Sequence, residues 1–69
     1  MIEYKTDMTV YFVNDLTAYG GTIFIMKARV ERIDNNWIKL YNGHFHRPNK
    51  LFAELEAIPN YEKLELRIL

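Results

Sequence analysis

Lys27, Arg29, Trp37, Lys39 and Tyr41 are the residues of this chain best suited to chemistry, and that chemistry is recognition. Counted along a bent strand pair, all five project to one side. Flat rings beside Arg and Lys suit two kinds of ligand. Single-stranded nucleic acid stacks its bases on rings and pairs its phosphates with cations. A protein bearing an acidic, apolar patch fits equally well, because Trp, Tyr and Arg are favoured interface anchors. A third reading makes Trp37 and Tyr41 the cover of a second small core or a contact between copies, with the lysines keeping an exposed strand soluble. Arg47 and Lys50 lie at the border of the group.

Charge along the chain supports a surface of this kind. The protein has nine Lys plus Arg against nine Asp plus Glu, yet residues 27–50 hold six of the bases and only two acids, Glu31 and Asp34. The flanks, residues 1–26 and 51–69, each sum to −2. A neutral chain argues against a dedicated non-specific nucleic-acid binder. A protein partner is therefore the first expectation, nucleic acid the second and a homo-oligomer the third.

Other constellations are weaker. His44 and His46 share one side of an extended segment, but a metal site wants a third ligand that the local sequence does not supply. Two such imidazoles could also titrate near neutrality. The chain has no Cys and no Ser, which removes the commonest nucleophiles. Glu54 and Glu56 point apart on a strand and stand about 200° apart on a helix, a poor carboxylate pair. Gly20-Gly21 precedes a strand, so it is no phosphate loop. The expectation is a non-enzymatic protein with neither cofactor nor metal.

The elements that must position the basic–aromatic group follow from periodicity. Ile2–Phe12 alternates, its even residues reading Ile, Tyr, Thr, Met, Val and Phe, and predicts a long half-buried strand. Asn14–Gly21 is a connection in which Leu16 and Tyr19 are expected to cap one end. A second strand runs from Thr22 to Asp34, and Asn35-Asn36 occupies a two-residue turn that needs left-handed backbone. Phe24, Met26, Ala28 and Val30 share one parity, while Ile33, Ile38 and Leu40 take the other. An extra residue at Glu31/Arg32 reconciles them, placing Val30 opposite Leu40 and Arg29 opposite Tyr41. Asn42-Gly43 ends the third strand, and the proline-bearing segment His44–Asn49 reads as a loop or edge. Leu51, Phe52, Leu55 and Ile58 align on one helical face, with Asn49 as cap and Pro59 as stop. Glu62–Leu69 alternates again and predicts a last strand with Leu64, Leu66 and Ile68 inward.

These elements make one domain over residues 1–69. The fold class is all-β: a small SH3-like or Sm-like bent antiparallel barrel of four to five strands, with one short helix or helical turn near 50–58. An open four-stranded sheet with a helix against one face is the alternative. With no cysteine there is no disulfide framework. The longest apolar run, Ile23–Met26, is too short to cross a bilayer, and the N-terminus lacks the pattern of a signal peptide. No membrane partner is expected, and the cytoplasm is the expected location. The functional expectation is a protein-binding or regulatory module able to self-associate.

Overall fold

The computed structural model describes residues 3–68. Five strands carry it: β1 (Thr9–Asp15), β2 (Ile23–Asp34), β3 (Trp37–Leu40), β4 (Phe45–His46) and β5 (Glu65–Ile68). The ladder order is β1-β2-β3-β4, with β5 added alongside β2. Three pairings are antiparallel, and β2–β5 is parallel. No helix among the described residues is long and apolar enough to cross a membrane.

β2 organises the sheet. One edge pairs with β1 from Thr9↔Arg29 to Asp15↔Ile23. The other edge is shared end to end, by β5 along Phe24–Lys27 and by β3 from Val30 onward. Between them the register shifts: Val30 pairs with Leu40, and Arg32 with Lys39. Glu31 is the unpaired extra residue, as the change of parity requires. Before the bulge the even residues Ala28 and Val30 are buried; after it the inward set on β3 is Ile38 and Leu40. Asn35 turns the hairpin at φ 61°.

The main core is Val10, Phe12, Ala28, Val30, Ile38, Leu40 and Leu51, with Tyr4, Met8 and Met26 packed against it. Burying each large side chain contributes roughly 1.5–3 kcal/mol. Ile25 and Ile58, outside that cluster, are also fully buried. Ile25 lies on the parity opposite to the core residues of β2, so both faces of the β1–β2–β5 region bury apolar surface.

Four expectations change. The first strand starts at Thr9, not Ile2, because Asp7 adopts φ 68° and Met8 N–H turns back to Lys5 O at 3.1 Å. Ile2 lies outside the described residues. Tyr4 and Met8 nevertheless reach the core, which is why the alternation persists through a turn. Leu16 and Tyr19 do not cap an end: both are exposed, on a 3-10 turn closed by Gly20 at φ 77°. Near 50–58 the expected helical turn forms at Leu55–Ala57, but the longer helical face from Leu51 to Ile58 does not. In its place, 3-10 turns at Pro48–Lys50 and Leu55–Ala57 flank an extended piece whose Phe52 exchanges two 2.8 Å hydrogen bonds with Tyr11. So short a segment is a marginal helix by itself, and the edge of β1 offers its backbone better partners. Finally, β5 is not an inward strand. Leu66 and Ile68 are 42% and 74% exposed, and Leu64 is half-buried. Leu69 lies outside the described residues.

Candidate protein-interaction surface

The outer face of β2–β3–β4 is built by cross-strand register. Arg32 of β2, Lys39 of β3 and Phe45 of β4 form one row, and Asp34 and Trp37 form the next. On the other side of the bulge, Tyr41 N–H donates to Arg29 O at 3.2 Å, which places Arg29 beside Tyr41. Each exposed ring on this face carries a cation. Arg47 lies 4.1 Å from the centre of the Trp37 ring, Arg29 5.7 Å from that of Tyr41, and Arg32 and Lys39 each 5.9 Å from that of Phe45. Such contacts hold flexible cations over flat surfaces at a modest gain, roughly 0.5–1 kcal/mol each where exposed. Trp37, Phe45 and Tyr41 are 41%, 45% and 56% exposed.

Acids punctuate the band without erasing it. Lys39 Nζ pairs with Glu31 at 3.1 Å, and Arg32 with Asp34 at 3.8 Å. Asp7 Oδ1 receives Arg29 Nη2 at 3.1 Å and the Tyr41 hydroxyl at 2.7 Å. That hydrogen bond, together with partial desolvation and the Asp7 charge, raises the Tyr41 phenol above its ordinary value. Exposed ion pairs of this kind contribute little to stability. Their main effect is to fix where the cations stand.

The structure brings Lys27, Arg29, Trp37, Lys39, Tyr41 and Arg47 along this band. Lys27, Arg29 and Tyr41 line an open cleft of about 530 Å³ at one end, together with Ile68. Lys50 is not part of it: it lines a separate cleft with Phe12, His46 and Phe52. Arg32, Phe45 and Asp7 belong to the surface although the sequence reading did not select them. Arg32 and Phe45 follow from the bulge once β4 is known to pair with β3; Asp7 has no sequence signal beyond its place in an alternating run.

The histidines separate. His44 is exposed, with its backbone N–H on Asn42 Oδ1 at 2.9 Å. His46 turns toward the core, its ring 4.5 Å from that of Phe12, and its Nε2 is buried without a hydrogen-bond partner. Burial, then the nearby charge of His44, lowers its proton affinity. Among the described residues no three His, Cys, Asp or Glu side chains stand close enough to hold a metal ion. Set against protein-family models, curated proteins and solved structures, the chain matches none.

Proposed function

We propose that this chain is a small non-catalytic binding module that takes an acidic, partly apolar segment of a partner protein on the outer face of β2–β3–β4. The observation that carries this reading is the set of cation–ring stacks on one exposed face of a neutral chain. Stacked cations point charge outward while the rings beneath offer apolar area, the combination that interface anchors use. The finer architecture that goes with the proposal is an SH3-like or Sm-like barrel. A bent β2, a 3-10 turn after β4 and the Tyr11/Phe52 bridge from that turn back to β1 support it.

Single-stranded nucleic acid is the second reading for the same face. It is the poorer fit, because base stacking needs a free ring face and Arg47 already covers one face of Trp37.

Selection of displayed peptides on the wild-type chain and on an Arg32→Glu/Arg47→Glu variant tests the proposal. Peptides rich in Asp and Glu with interspersed Leu, Ile or Phe are expected, and the charge-reversed protein should bind them at least about tenfold more weakly. Selected peptides without acidic enrichment, or equal binding by the two proteins, would overturn it.

A further inference from the structure

We infer that β5 pairs with β5 of a second copy, antiparallel and centred on Leu66, to give a two-fold symmetric dimer with a continuous sheet. Among the described residues β5 is an edge strand, paired on one side only. Because Tyr41 N–H reaches Arg29 O, the odd residues of β2 turn their backbone groups toward the edge shared by β3 and β5. In the parallel register Ile25↔Leu66, these groups of Ile25 reach Glu65 and Arg67. The N–H and C=O of Leu66 and Ile68 therefore face away from β2. Among the described residues no strand pairs with that side.

The sequence of the strand says what covers it. Laid antiparallel on itself about Leu66, the run Leu64-Glu65-Leu66-Arg67-Ile68 matches at every position. Leu66 meets Leu66, Leu64 meets Ile68, and each Glu65 meets an Arg67. Leu66 is then a hydrogen-bonded pair, using the two groups that point outward. Glu65 and Arg67 fall in the neighbouring non-hydrogen-bonded pairs, where side chains approach most closely. Ile68 N–H can also donate to the Leu64 carbonyl of the other copy, although the Leu64 N–H is already used by Tyr61 O at 3.2 Å.

Side-chain placement agrees with this pairing. Val13, Ile25 and Leu66 lie in one cross-strand row, and with a two-fold axis normal to the sheet the row continues into the same residues of the second copy. Leu66 and Ile68, the exposed apolar residues of β5, are the ones that gain cover. Charged residues on an edge strand ordinarily hold other chains away. Here the two charges differ in sign and are symmetric about Leu66, so they repel a shifted or parallel copy and attract the antiparallel one. Within one chain Glu65 and Arg67 touch at 3.2 Å, and Arg67 also lies 3.9 Å from the centre of the Phe24 ring, so both side chains already stand on the same face. The contact is isologous, as closed dimers require. It does not depend on the basic–aromatic face being a binding surface.

Sedimentation velocity of the full chain, from micromolar to submillimolar concentration, tests the inference with three variants. The wild-type chain is expected to pass from monomer to dimer. Glu65→Arg alone and Arg67→Glu alone each turn two attractions into repulsions and should weaken dimerisation about tenfold or more. The double variant Glu65→Arg/Arg67→Glu exchanges the charges and should restore it, with circular dichroism confirming that all four proteins are folded. A wild-type chain that stays monomeric overturns the inference. So does a dimer indifferent to Glu65→Arg, or single-variant losses that the double exchange does not reverse.

Discussion

The Tyr41 hydroxyl donates a 2.7 Å hydrogen bond to Asp7, fastening the turn that precedes β1 to the residue that follows β3. Arg29 shares the same carboxylate oxygen from β2, and the Asp7 N–H donates to Val30 O at 2.7 Å. One acidic residue in left-handed backbone thus ties together three parts of the chain. It also sets an anion at one end of the cationic band.

Removing that carboxylate should lower the Tyr41 phenol toward its ordinary value. Asp7→Gly keeps the positive φ available and deletes the acceptor. The sign of the accompanying stability change follows from the raised phenol. The fold favours neutral Tyr41, so this contribution is whole below pH 10.0 and is lost as pH climbs past it. An NMR titration of the Tyr41 ring should move downward in Asp7→Gly, and the alkaline loss of stability should shrink. An unchanged Tyr41 titration would show that the hydrogen bond does not form in solution.

His46 gives the opposite pH dependence. Its ring is held against Phe12 with Nε2 buried and unpartnered, so the fold favours the neutral imidazole. A histidine with a lowered folded value contributes nothing adverse above its ordinary value of 6.5, and destabilises as pH falls through it. Urea midpoints of the wild-type chain should therefore decline on the acid side of pH 6.5 more steeply than those of His46→Phe. Parallel declines would contradict this placement of the ring.

The core and β5 should respond very differently to truncation. Leu40 is fully buried between Val30 and its neighbours, and Leu40→Ala is expected to cost about 2–5 kcal/mol. Ile68, 74% exposed, should tolerate Ile68→Ala within about 0.5 kcal/mol in dilute solution. Urea denaturation at low protein concentration measures both. Comparable losses would mean that β5 packs inward after all.

That contrast also shows where sequence reading succeeds and where it stops. The bulge at Glu31 is legible because alternation on β2 and β3 cannot be reconciled without it, and side-chain parity is a strong constraint wherever one face is buried. Arg29, Trp37, Lys39 and Tyr41 then share a face as a matter of counting. Leu64, Leu66 and Ile68 alternate just as cleanly, but alternation does not say whether the face is covered, nor that the neighbour is a parallel strand 41 residues away in sequence. Residues 50–58 satisfy helical and extended patterns alike, and the choice falls to a tertiary event, the pairing of Phe52 with Tyr11. Asp7 is hidden for a related reason. Its positive φ interrupts the strand while Met8 and Tyr4 continue to reach the core, so the pattern survives the break. Phe45 joins the surface only through its two-residue strand, too short to announce itself.

Trp37 is the sole tryptophan, and it sits at the hairpin end of the proposed surface. Its emission can therefore be followed while the chain is titrated, in parallel, with an acidic peptide carrying Leu and Phe and with a single-stranded oligothymidylate. The peptide is predicted to shift Trp37 emission saturably, to bind less tightly as salt rises, and to lose its effect in Arg32→Glu/Arg47→Glu. A saturable response to the oligonucleotide with none to the peptide, or silence toward both, would contradict the assignment of this face to an acidic protein partner.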